Sequence, residues 1–138
     1  MILPDYLYIG GLYNMDTLHL LLIMIFLHIC DDYYLQGLLA QLKQKTWWKQ
    51  NAPDAKYKYD YIMALFMHSF SWSFMIMLPL LVFMNFKINL VFIVIFILNL
   101  VIHGVTDNEK ANKFTINLIQ DQTIHLVQII VTYLILTL

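Results

Sequence analysis

The chain has 138 residues, of which 61% are hydrophobic and 12% charged, and its formal net charge is −1. That balance excludes an ordinary soluble domain and points to one membrane domain. All eight basic residues are lysines, with no basic tract interleaved with aromatics, so nucleic acid is excluded as an expected partner.

In chain order, Met1 to Thr17 carries Pro4, Gly10 and Gly11 and is expected to form a short interfacial segment. It has no positive leader region and no small-residue cleavage site, so the apolar run that follows is expected to stay in the mature protein. Apolar residues then dominate Leu18 to Leu42, Tyr59 to Phe86, Ile88 to Val105 and Ile116 to Leu138. At about 1.5 Å per residue each run crosses roughly 30 Å of hydrocarbon. The expected architecture is an all-α polytopic membrane protein, a bundle of four transmembrane helices near 16–43, 58–84, 87–107 and 114–138, forming one domain over 1–138. Between the first two, the polar run Lys43 to Lys58 with Pro53 reads as a loop, and Trp47 and Trp48 read as interfacial anchors. Pro79 either ends the second helix early or kinks it. No Gly-xxx-Gly pattern is present, so helix association is expected to rest on other contacts, the polar groups among them. Cys30, the lone cysteine, has no intrachain disulfide partner and reads as a packing residue.

Three pairs, His28/Asp32, His103/Asp107 and Asp121/His125, are each spaced four apart, which puts both members on one helix face. Ionisable groups at membrane depth cost about 2.5–3.5 kcal/mol each, so several on registered faces imply use. Up-down topology places all three pairs near the same end of the bundle. His68 lies about 13 Å in from the start of the second helix at 1.5 Å per residue, a depth the others match. Asn99 and Lys110 extend the third-helix stripe, and Asn117 and Gln128 the fourth. On the first helix Gln36 continues the stripe, His19 points to the opposite face, and Asp31, about 100° from Asp32, is expected to meet solvent or cap a neighbour. Ser69, Ser71 and Ser73 have no base spaced to activate one of them and read as backbone-bonded helix serines.

Imidazole with carboxylate suits zinc first, then iron or manganese, rather than calcium. The expected ligands are His28, Asp32, His68, His103 and His125, with Asp107 and Asp121 as catalytic carboxylates and Gln36, Lys110 and Gln122 orienting them. Either two metals share the carboxylates, or one metal takes three or four groups and the rest act as acid, base or outer partners. Seven lysines, Lys43, Lys45, Lys49, Lys56, Lys58, Lys110 and Lys113, flank the site's side and only Lys87 the other. That asymmetry makes the site's side cytoplasmic and both termini extracytoplasmic. The expected activity is metal-dependent hydrolysis of a lipid headgroup ester or phosphoester, with membrane lipid as partner. An ion or proton transporter using the cluster as a relay, and a small structural or partner-binding membrane protein, are the alternatives; a homo-oligomer or larger membrane assembly fits each.

The stretch His28-Ile-Cys-Asp-Asp32-Tyr-Tyr-Leu-Gln36 resembles the His-xxx-Asp-[Phe/Tyr]-x-Leu-Gln signature of small bacterial and phage integral-membrane proteins grouped as domain of unknown function 3307. His68 falls where that family carries one histidine in its second helix. His103-Gly-Val-Thr-Asp107-Asn-Glu-Lys110 and Asp121-Gln122-Thr-Ile-His125 are similar to its third and fourth elements in order and spacing. Tyr33 stands where phenylalanine is common, and the loop after Gln36 lacks the family's acidic and arginine-containing run. A looser likeness to membrane-bound metal-dependent hydrolases implies hydrolysis by analogy.

Overall fold

In a computed structural model, residues 17–138 are described, so the expected N-terminal interfacial segment lies outside the described residues. Helix α1 (Thr17–Ile29) runs directly into a π-helical stretch, Cys30–Leu35. Gly37, at φ 50°, takes the left-handed conformation that terminates helices and stops the run. The first helix is therefore not continuous over 16–43. A short α2 (Leu39–Leu42) follows the break, and α3 (Lys45–Asn51) forms inside the run expected to be loop. The Trp48 indole N–H donates to the Leu42 carbonyl at 2.7 Å, folding α3 back on α2.

Helix α4 (Asp60–Phe83) passes through Pro79 without ending. Asn85 and Phe86, at φ 53° and 58°, turn the chain into α5 (Leu90–Asn108), whose first turn is capped by the Asn89 side chain. A second π-helical stretch, Glu109–Lys113, extends α5 until Phe114 at φ 58° ends it. Helix α6 (Leu118–Thr137) opens on a capping box in which Asn117 and Gln120 satisfy each other's backbone N–H. Asn117 thus serves as a cap and not as part of the inward polar stripe.

Four stretches, Leu18–Leu35, Ala55–Phe83, Leu90–Lys113 and Leu118–Thr137, are long and apolar enough to cross a membrane. They close a ring in which α4 packs between α1 and α5, and α6 between α5 and α1. One half of the interior is apolar, built on Leu20, Met24, Trp72, Ile76, Leu80, Phe92, Ile95 and Ile129. Outward faces carry Leu22, Phe26, Phe66, Phe70, Ile97, Val101, Val127 and Ile130, all exposed, as a hydrocarbon solvent requires. Gly104 lets α5 approach α4 closely: a Cβ there would stand 2.9 Å from Ser69 Oγ. Small-residue packing is therefore present at one point although no paired-glycine motif announces it.

Candidate metal centre

At the other end of the bundle the interior is polar. His28, His68, His103 and His125 are each at most 2% exposed, and the Asp32 and Asp107 side chains 7% and 3%. They come from all four membrane-length helices, as their spacing predicts. Three groups of ligand atoms lie within 4.8 Å of one another: His28/Asp32/His125, Asp32/His68/His103 and His103/Asp107/His125.

Each imidazole is held by a neighbour. Trp72 Nε1 donates to His28 Nδ1 at 2.8 Å, which leaves the His28 Nε2–H to donate to Gln122 Oε1 at 3.1 Å. The Trp72 indole also stacks on His103, with ring centroids 4.2 Å apart, and His103 in turn faces His125 at 4.2 Å. His68 Nε2 accepts from the Gln36 amide at 2.8 Å and points at the interior, 3.1 Å from His103 Nε2. Its Nδ1 lies 3.6 Å from Asp31 Oδ2.

Asp31 corrects the sequence expectation. It is 2% exposed and accepts from Ser71 Oγ at 2.6 Å, instead of facing solvent. Asp31 and Asp32 both lie in the π-helical stretch and both turn inward, Asp31 onto Ser71 and His68 of α4 and Asp32 into the histidine cluster. A carboxylate behind a histidine ring orients that ring toward a metal, so Asp31 stands where such a partner belongs. Ser69 bonds the Leu65 carbonyl at 2.7 Å as expected, whereas Ser71 serves Asp31.

Asp121 is fully buried but lies beside the cluster. Its Oδ2 accepts from Lys110 at 2.5 Å and from Gln122 at 2.9 Å, while Oδ1 stands 3.9 Å from His125 Nε2. Gln122 therefore bridges His28 and Asp121, with Asp32 Oδ2 at 3.5 Å. Asp107 is paired with Lys43, which is 8% exposed although it stands in the polar run expected to be loop. Asn112 ties that corner down by accepting from Lys45 N and donating to Lys43 O. Trp72 and Lys43 are the contributors that spacing did not single out; Trp72 had a usable signal in standing four residues after His68.

The donor set fits a divalent metal. Among the described residues, Asp31 Oδ2, Asp32 Oδ1, His103 Nδ1, Asp121 Oδ1 and both ring nitrogens of His125 are buried without a hydrogen-bond partner. Leaving such groups unpaired costs about 1–3 kcal/mol each, a cost that a bound cation offsets where it takes their lone pairs. Four carboxylates, Asp31, Asp32, Asp107 and Asp121, face two lysines, Lys43 and Lys110, which leaves excess negative charge for a cation. Comparison with protein-family models, with curated proteins and with solved structures returns no match to this chain.

Proposed function

We propose that the chain is an integral membrane metal-dependent hydrolase acting on a lipid-linked ester or phosphoester, with its site toward the lysine-rich, cytoplasmic side. The observation that carries this reading is the opening of the cluster toward lipid. A groove of about 530 Å³ between α1 and α6 is lined by Ile25, Ile29, Tyr33, Tyr34 and Leu126 around His28 and Gln122. Apolar walls suit an acyl chain, and the polar pair at its inner end suits a headgroup. The resemblance to domain of unknown function 3307 is compatible with this reading and does not define a reaction.

A bound zinc, iron or manganese ion lowers the pKa of its water to about 7 and polarises an ester or phosphoryl oxygen. The chain's own part is proton handling. Asp121 Oδ1 has no hydrogen-bond partner among the described residues, so it takes the proton as the water oxygen bonds to carbon or phosphorus. As the bond to the departing alcohol oxygen breaks, that oxygen receives the proton. Lys110 and Gln122 hold Asp121 in place through its other oxygen.

The relay alternative meets an apolar barrier. Beyond the cluster, Asn99, Gln128 and Thr132 form one buried polar step, and Leu20, Ile76, Leu80, Phe92 and Ile129 fill the core on that side. The test of the hydrolase reading is release of headgroup, phosphate or fatty acid from mixed-phospholipid vesicles by the metal-loaded protein. Asp121→Asn is expected to lower turnover about 10²-fold or more while keeping the metal. Equal turnover in that variant, or none in the wild type across ester and phosphoester lipids, sinks the proposal.

A further inference from the structure

The two oxygens of Asp32 face different histidine pairs. Oδ1 lies 3.3 Å from His68 Nε2 and 3.9 Å from His103 Nε2, whereas Oδ2 lies 3.4 Å from His28 Nδ1 and 3.5 Å from His125 Nδ1. A carboxylate so placed has one oxygen for each of two ions. We infer that the cluster is a two-metal centre bridged by Asp32, with a closed position formed by His68, His103, Asp32 and Asp107 and an open position formed by His28, His125 and Asp32. The inference rests on the metal-binding reading of the cluster and is independent of whether the chain hydrolyses lipid.

Three ligand separations of the closed position, all from His68 Nε2, are those of a tetrahedral site. Ligands about 2.0–2.1 Å from a tetrahedral ion stand about 3.3 Å from one another. Here His68 Nε2 is 3.1 Å from His103 Nε2, 3.3 Å from Asp32 Oδ1 and 3.3 Å from Asp107 Oδ2. From His103 Nε2 the separations are wider, 3.9 Å to Asp32 Oδ1 and 3.9 Å to Asp107 Oδ2. Asp32, His68 and His103 form the mutually close triplet and Asp107 joins it through His68; with all four as ligands no place is left for substrate, which is the character of a structural position.

The open position has three protein ligands, so one place stays available for water or substrate. It is also the one beside lipid, because His28 lines the groove between α1 and α6. Asp107 adds a second link across the centre, with Oδ2 toward His68 and Oδ1 4.0 Å from His125 Nε2. Two ions joined in this way lie about 3.5–4 Å apart, the separation at which a pair clamps the attacking and leaving oxygens of one displacement. Each position holds a protein donor that an ion would displace: Trp72 Nε1 at His28 Nδ1 in the open position, and the Gln36 amide at His68 Nε2 and Lys43 at Asp107 Oδ2 in the closed one.

Manganese(II) titration of the chelator-stripped full chain in detergent tests this, with bound metal counted by plasma mass spectrometry and its coupling read by electron paramagnetic resonance. Two ions per chain with an exchange-coupled signal are expected at saturation. His28→Gln is expected to retain one ion with an uncoupled signal, and Asp32→Asn to lose the coupling, each with unchanged helical circular dichroism. One ion per wild-type chain at saturation, two uncoupled ions, or an unchanged count in a folded His28→Gln overturns the two-metal centre. Two coupled ions in a protein that cleaves no lipid overturn only the hydrolase reading.

Discussion

Lys43 Nζ stands 2.5 Å from Asp107 Oδ2, a buried ion pair between groups 64 residues apart in sequence. The lysine reaches the cluster because Gly37 breaks the first helix and α2 and α3 fold over the bundle end. Removing it leaves a buried carboxylate without its partner, which typically costs about 3–5 kcal/mol. It also removes a positive charge from beside a metal ligand. Lys43→Met is expected to unfold at lower temperature than wild type without added metal, and to show a larger rise in melting temperature when zinc is added. A smaller metal-induced rise than wild type contradicts the assignment of Asp107 to the metal centre.

Gly104 and Ser69 set the distance between α5 and α4 beside the His103 and His68 pair. A Cβ at position 104 would meet Ser69 Oγ at 2.9 Å but Ser69 Cβ only at 3.7 Å, so the clash is with the hydroxyl. Gly104→Ala is expected to destabilise by about 1–3 kcal/mol and to weaken metal binding by parting the two histidines. Ser69→Ala removes the hydroxyl and is expected to restore both in the double variant. Thermal melts and metal titrations of the four proteins form the cycle, and strictly additive effects contradict the contact.

The fold and most of the cluster were legible in the sequence because both follow from the α-helical period. Pairs four residues apart share a face whatever packs on them, and alternating helix direction brings three such faces to one end. What escaped depends on departures from that period or on tertiary placement. Asp31 turns inward to meet Ser71 and His68 on α4, a contact no spacing within its own helix announces, and Asn117 leaves the stripe because it caps α6. Lys43 lies in a run whose charge reads as solvated loop, yet the fold of α2 and α3 buries it. Trp72 shares a helix face with His68, four residues before it, but what it bonds and stacks on is set by His28 and His103 arriving from other helices.

Asn99 donates to Thr132 Oγ1 at 2.7 Å, and Gln128 donates to the Asn99 carbonyl at 3.2 Å, one step deeper than the histidines. This network ends against the apolar core, so its expected role is to hold α5 to α6. Such interhelical bonds contribute about 0.6 kcal/mol on average within membranes. Thr132→Val is expected to lower stability by about that amount, read by denaturant titration in detergent, and to leave metal content unchanged. In vesicles loaded with a pH-sensitive dye, neither wild type nor Thr132→Val is expected to carry protons. Proton flux that Thr132→Val abolishes would reinstate the relay.

Trp72 offers a test of how the centre is held, because its ring does two separable things. Its face stacks on His103 at an interplanar angle of 17°, and its N–H occupies the His28 nitrogen that faces Asp32. Phenylalanine keeps an aromatic face and removes the donor, while buried Ile76 and Leu80 support the site from the apolar half. If the indole N–H competes with metal for His28 Nδ1, Trp72→Phe binds the open-position ion more tightly than wild type. Freeing one neutral hydrogen bond, worth about 0.5–1.5 kcal/mol, corresponds to about a two- to tenfold gain. The closed-position ion, held without His28, keeps its affinity. If the N–H serves chiefly to orient the ring, the variant instead loses affinity for the open-position ion, and the competition inferred from this contact is wrong. Two-site manganese isotherms of the two proteins decide between these outcomes.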